Sequence, residues 1–326
     1  MRGRGRAGAA VVCFCVSVAA TGARADEGPG GAPPGGAPSE ERVPLAVNFS
    51  VAERVTIVSA GIVGIMALAG GPSVYTPDSP SMGPPAPGSL DRRISDNLYP
   101  GDGGDRFMWR VPDYGGLYVL PYLPAIFYGG EALYYGSKKR PLFEGGDVNA
   151  DHRFWAYVEA LGWTTLLTGV TKLAVGRTRP YEVLQHPQFA GPERERDLSF
   201  YSSHSAAVFC AASFVALDLS DTLHAGALRN AGAARRFLLG TLVPYVGALG
   251  LASVVGISRI VDQQHWASDV VVGAGVGTAA AHLAYIVHFD SAGRPRRRLG
   301  TDALGAPGAL ALGPMPGGVV LRGLLP

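Results

Sequence analysis

The sequence predicts an all-α protein, a bundle of apolar helices embedded in a membrane, and three observations carry that expectation. Six apolar segments succeed one another between residues 55 and 289. No alternation of apolar and polar residues, the period of a half-buried strand, interrupts them before the C-terminal tail. Hydrophobic residues make up 47% of the 326 and charged residues 17%, which is too apolar and too weakly charged for a disordered chain.

The elements follow in chain order. Arg2, Arg4 and Arg6 precede an uncharged run from Ala7 to Gly22, and Ala23-Arg24-Ala25 follows. A basic start, an apolar run and a small-x-small site are the features of a secretory signal peptide over residues 1–25. The run is short of the roughly 20 residues that a membrane span needs. Residues 26–42, rich in Gly and Pro, can bury almost nothing and read as a disordered, flexible linker. The helical domain is expected over 43–290. Its apolar segments are Val55 to Gly71, Tyr114 to Gly130, Phe154 to Gly176, Ser205 to Leu217, Phe237 to Ser258 and Val270 to Phe289. Six prolines between 72 and 87 mark the start of a Pro/Gly-rich loop, taken as 72–113. The tail, 291–326, holds two apolar stretches around Pro314 to Gly318 and reads as irregular or as a small hairpin.

Charge and cysteine content narrow the function. A formal charge of +2 gives no reason to expect a nucleic-acid partner. Three cysteines, Cys13, Cys15 and Cys210, make neither a disulfide scaffold nor a zinc site. Basic residues gather at Lys138-Lys139-Arg140, at Arg229, Arg235 and Arg236, and at Arg294 to Arg298, which the positive-inside rule places in the cytoplasm. The loops that follow the third segment and precede the sixth then face outward. A cleaved leader would instead start the mature chain outside, and a first segment that crosses would invert everything behind it.

Three short blocks carry the chemistry. Lys172 and Arg179, seven apart and followed by Pro180, would share one face if a helix ran to the proline. Two close cations call for an anion, and an arginine fork suits phosphate oxygens. A basic helix end facing lipid headgroups explains them as well. Ser199 to Ser203, ahead of His204, suit a helix N-cap, where exposed N–H groups attract an anion and a histidine can deliver a proton. An interfacial histidine after an ordinary cap is the plainer account. Ser258-Arg259 precedes His265, and Asp269 lies four beyond it, one helical turn from the imidazole. A carboxylate holding one ring nitrogen leaves the other as a nucleophile. A simple i,i+4 pair at a helix start has the same spacing.

Together the blocks resemble the type 2 phosphatidic acid phosphatase superfamily, which spans lipid phosphatases, class A acid phosphatases and vanadium haloperoxidases. Its signature runs K-x6-R-P, then P-S-G-H, then S-R-x5-H-x3-D. Lys172, Arg179 and Pro180 match the first, and Ser258, Arg259, His265 and Asp269 the third. In the second, Ser202 and His204 are kept while Tyr201 stands for Pro and Ser203 for Gly. The resemblance implies a six-helix bundle. It implies that His265 attacks phosphorus, that Asp269 orients it, and that His204 protonates the leaving oxygen and then activates water. Lys172, Arg179, Ser202, Ser203 and Arg259 would hold the phosphate, with no metal and no cofactor. The expected substrate is a phosphorylated lipid, as a phosphate or pyrophosphate monoester, met among membrane lipids on the periplasmic side of a bacterial inner membrane. The alternative is a soluble periplasmic acid phosphatase acting on small phosphate esters. A haloperoxidase or a non-enzymatic membrane protein fits less well.

Overall fold

The computed structural model describes residues 49, 51–74, 82–101, 119–136, 150–186, 189, 195–290, 293–295, 310–315 and 318–323. The expected leader, linker and Lys138–Arg140 cluster lie outside the described residues, as do Arg296 to Arg298. The described part is mostly helical. Its helices are α1 (Val51–Val74), α2 (Leu90–Leu98), α3 (Leu123–Gly136), α4 (Ala150–Val175), the single turn α5 (Pro180–Val183), α6 (Ser203–Ala225), α7 (Ala233–Arg235), α8 (Val243–Val261) and α9 (Ala267–His288). A π-helical run, Arg236–Leu242, joins α7 to α8 without a break. In the tail, Leu310–Met315 and Gly318–Gly323 pair as antiparallel strands.

Among the described residues, four stretches are long and apolar enough to cross a membrane: Val51–Ala69, Ser203–Ala225, Ala233–Val261 and Ala267–His288. The sequence ends the fourth apolar segment at Leu217, yet α6 runs on through Asp218 and Asp221 to Ala225. Asp218 is buried and Asp221 half-buried, which is tolerated because each has a partner. Asp218 meets the Arg153 guanidinium at 2.9 Å and accepts from the Tyr128 hydroxyl at 3.0 Å, while the Tyr285 hydroxyl donates to Asp221 at 2.9 Å. The second segment is displaced from its expected bounds. Its helix starts at Leu123 because Pro124 is tolerated only in a first turn, and it continues to Gly136. The expected loop 72–113 is also interrupted. Val74 still belongs to α1, and Leu90–Leu98 forms α2.

The core lies between α4, α6 and α9. Phe214 of α6 sits edge-on to Tyr157 of α4 at 5.3 Å and to Tyr285 of α9 at 5.5 Å. Toward the start of α6, Gly273 and Gly277 of α9 let the two helices pack closely. A Cβ on Gly273 would lie 2.5 Å from the Ser202 carbonyl oxygen, and one on Gly277 would collide with the Ala206 carbonyl. This contact presses the start of α9 against the loop that opens α6.

The two ends of the bundle differ. The end of α4, the start of α6, the end of α8 and the start of α9 meet at one end. The other holds the start of α4, the end of α9 and Phe49, whose ring lies 5.1 Å from His152 and 4.6 Å from His288. Arg229, Arg235 and Arg236 follow the end of α6, at this second end. Helix α1 runs parallel to α4: Arg54 pairs with Asp151 at 2.8 Å near both starts, and Gly64 lies against Thr165 and Leu166 farther along. His152 and His224 sit in α4 and α6.

Candidate active site

Helix α4 stops at Val175, not at Pro180. Gly176 takes a left-handed φ of 49°, a conformation that glycine adopts without a steric penalty, and turns the chain out of the helix. Residues 177–179 then run alongside 196–199, with Ser199 N–H donating to the Arg177 carbonyl and Arg179 N–H to that of Arg196, both at 2.9 Å. Lys172 and Arg179 therefore do not share a helix face; the turn at Gly176 brings them together. Lys172 is buried, and its Nζ donates to the Leu198 carbonyl at 2.5 Å. Arg179, also buried, donates from Nε to the Glu195 carbonyl at 2.9 Å and from one terminal nitrogen to Gln264 Oε1 at 2.7 Å.

Ser202 caps α6. Its Oγ accepts from the Ser205 N–H at 3.3 Å and from the Ser205 hydroxyl at 3.1 Å. Ser203 is the first helical residue, with none of the positive φ that a glycine would be needed for, so its side chain adds no backbone strain there. Tyr201, in place of the family's proline, is buried and accepts from the Thr168 hydroxyl at 3.3 Å. His204 follows in the first turn and is half-buried.

His265 lies in the turn between α8 and α9 and is 1% exposed. Its Nδ1 is 2.8 Å from the Ser199 carbonyl oxygen. A carbonyl can only accept, so Nδ1 carries the proton and Nε2 presents a lone pair. Burial holds the imidazole well below its ordinary pKa of 6.5, and Lys172, Arg179, Arg259 and His204 push it the same way. The ring is thus neutral at pH 7. Lys172, Arg179, Arg259 and His204 all bear on this one ring, and burial followed by the nearby Arg179 in turn lowers the Lys172 ammonium to about 7. Among the described residues, no group of three His, Cys, Asp or Glu side chains has the arrangement of a metal site.

Asp269 departs from its expected pairing. Its Oδ2 is 3.9 Å from His265 Nδ1, beyond hydrogen-bond reach. His265 precedes the first residue of α9, so helical i,i+4 geometry does not apply to it. The buried carboxylate accepts instead from the Ser199 hydroxyl at 2.5 Å, from the Trp266 N–H at 3.0 Å and from Arg177 at 2.5 Å. Arg177 also reaches Asp91 of α2 at 2.8 Å.

Residues 153–292 match the PAP2 superfamily. Over 141 residues it is 28% identical to a PA-phosphatase related-family protein of Dictyostelium discoideum, covering 43% of this chain and 50% of the relative. A 48-residue stretch is 48% identical to a lipid A 1-phosphatase of Porphyromonas gingivalis, covering 14% of this chain and 11% of that enzyme. The chain thus spans half or less of the length of these curated relatives. The crystal structure of a transmembrane PAP2 type phosphatidylglycerolphosphate phosphatase from Bacillus subtilis aligns with a TM-score of 0.43 at 21% identity, covering 71% of this chain and 94% of that one.

Sequence reasoning passes over several neighbours of the site. Arg177 stands between two motif residues, but its partner Asp269 is 92 residues away, so no spacing rule reveals the pair. Ser199 and Gln264 act through a backbone carbonyl and a flexible amide, which no spacing rule reveals. Glu195 places Oε2 3.3 Å from the Arg179 guanidinium. A phosphate that takes this nitrogen must displace or share that carboxylate. Glu195→Gln is therefore expected to tighten competitive inhibition by inorganic phosphate by about 3- to 10-fold, equal to removing one partly screened charge. An inhibition constant unchanged in the variant would show that the two anions do not compete.

Proposed function

We propose that this protein is a phosphatase that hydrolyses a lipid phosphate monoester through a phosphohistidine intermediate. The observation that carries the reading is the buried, neutral His265, with its proton held on Nδ1 and Lys172, Arg179 and Arg259 acting on it. His265 Nε2 attacks phosphorus as the bond to the ester oxygen breaks, and His204 gives that oxygen its proton. His204 then takes a proton from water, whose oxygen attacks phosphorus, breaks the P–N bond and releases inorganic phosphate. The three cations, with Ser202 and the Ser203 N–H, would neutralise the charge that spreads over the phosphoryl oxygens.

Exposed apolar side chains support a lipid as the substrate. Val170 lies within one turn of Lys172, Ile257 within one turn of Arg259 and Val271 within one turn of Asp269, and all three are exposed. An acyl or prenyl chain could lie along this surface while its phosphate enters the site. The deciding assay is phosphate release from phosphatidic acid, phosphatidylglycerol phosphate, undecaprenyl pyrophosphate, lipid A and a soluble aryl phosphate. Turnover of a lipid well above the aryl ester supports the proposal. Equal turnover of small soluble esters would favour the acid phosphatase alternative.

The cations make the reaction independent of a divalent ion. Activity is expected to persist in excess chelator and to be blocked by vanadate, whose five-coordinate adduct with His265 mimics the transition state. Activity lost to chelator and restored only by a divalent metal would defeat this part of the proposal.

The reading places the site outside the cytoplasm, because Arg229, Arg235 and Arg236 lie at the opposite end of the bundle. Helix α1 starts at that arginine-rich end. A crossing α1 therefore requires the residues before Val51 to stay inside, and a leader that exports them is incompatible with an outward site. Alkaline phosphatase fused near residue 190 is expected to be active, and fused near residue 45 or after Phe289 inactive. An inactive fusion near residue 190 would put the site in the cytoplasm and defeat the proposed side.

A further inference from the structure

Helix α2 is nine residues long and turns the unexpected way. Leu90 is 72% exposed, whereas Ser95 is fully buried. A helix this short has no stability of its own, so contacts with the rest of the protein must set its orientation. Those contacts converge on the turn that carries His265. Asp91 accepts from the Ser268 N–H at 2.8 Å and from the Ser268 hydroxyl at 2.6 Å. The Ser95 hydroxyl donates to Gln263 Oε1 at 2.8 Å, and Gln263 Nε2 donates to the Ser95 carbonyl at 3.1 Å. Gln263 and Ser268 lie two residues before His265 and three after it. Gln263 also holds a left-handed φ of 54°, a conformation that a non-glycine residue keeps only when its surroundings hold it.

We propose that α2 is a brace that sets the position of His265, with Asp91 and Ser95 as positioning residues anchored on either side of it. The inference rests on the functional reading above. Arg177 extends the brace: it bridges Asp91 at 2.8 Å and Asp269, which in turn receives the hydroxyl of Ser199, the residue whose carbonyl holds the imidazole. An attacking nitrogen needs its place to within a fraction of an ångström, and a displacement of about 1 Å can cost on the order of 100-fold in rate. The brace acts on that placement and leaves the phosphate-binding cations untouched.

The test compares full-length wild-type protein in detergent with Asp91→Ala, Asp91→Glu, Ser95→Ala and, as a control on the same helix, Asp96→Ala. Turnover of a lipid phosphate and hydrogen–deuterium exchange are both measured. Asp91→Ala is expected to lower kcat roughly 100-fold with KM changed less than about 2-fold. Exchange should rise over 262–269 while α4 and α6 stay protected, and Asp91→Glu should recover part of kcat. Ser95→Ala, which leaves the ion pairs intact, should lower kcat about 10-fold and covers the case in which Asp91→Ala does not fold. Wild-type kcat in Asp91→Ala or Ser95→Ala overturns the brace. A loss of activity matched by deprotection throughout α4 and α6 overturns it as well, because a merely structural role predicts that pattern. If the wild type releases no phosphate from any ester, the functional reading falls, and localised exchange still upholds or overturns the brace.

Discussion

Replacing His265 by alanine is expected to abolish phosphate release, with a fall in kcat on the order of 10⁴-fold or more, as removal of an attacking group produces. The ring is buried, so alanine leaves a cavity beside three cations. His265→Asn is the better control for folding, because its side-chain N–H can still donate toward the Ser199 carbonyl. Both variants should lose turnover while the asparagine keeps near-wild-type thermal stability. An alanine variant that retained turnover within about 10-fold would remove His265 from the mechanism. Leaving-group dependence separates the second histidine: His204→Ala should impair alkyl esters more than aryl ones, because only a poor leaving oxygen needs a proton.

The depressed pKa of His265 gives the same variant a second signature. The folded protein keeps the imidazole neutral, while the unfolded chain takes up a proton near its ordinary value of about 6.5. The stability that the neutral ring contributes is present above pH 6.5 and is lost as pH falls below it. Wild-type protein should therefore lose thermal stability on acidification more steeply than His265→Asn. Equal slopes between pH 7 and pH 5 would mean that the ring titrates normally in the folded state.

Both the legible and the illegible parts of the site have physical causes. Lys172, Arg179, Ser202, His204, Arg259, His265 and Asp269 stand at fixed spacings along the chain, and that order alone marks them as candidates for one site. Their geometry could not be read from it. The glycine turn at 176 and the start of α9 at Ala267 decide which pairs touch, and both break the helical periodicity from which direct Lys172–Arg179 and His265–Asp269 pairings follow. Helix α2 was invisible for a related reason. Its one buried residue is Ser95, while Leu90 and Leu98 are exposed, which departs from the pattern by which amphipathic helices are recognised. The length of α6 was underread because Asp218 finds Arg153, a partner far off in sequence, and buried charge is a stop signal only where it has no partner.

Removing the Asp269 carboxylate is expected to damage both fold and function. Asp269→Ala leaves Arg177 facing Asp91 alone and strips acceptors from Ser199 Oγ and Trp266 N–H, all inside the protein. Breaking one side of a buried ion pair costs about 3–5 kcal/mol, so the variant should unfold at markedly lower temperature. Combining Asp269→Asn with Arg177→Gln should be less destabilising than the two singles added together, because the double variant strands neither of these two charges and leaves Asp91 its hydrogen bonds from Ser268. Ser199→Ala then distinguishes how the carboxylate reaches the imidazole. It keeps the carbonyl that holds Nδ1 but cuts the hydroxyl that ties this segment to Asp269. Loosening the carbonyl by this route should lower kcat about 10-fold with little change in stability. If Asp269 instead acted on His265 directly, Ser199→Ala would keep full activity while Asp269→Asn lost it, and the 3.9 Å separation between the two side chains would have to close during the reaction.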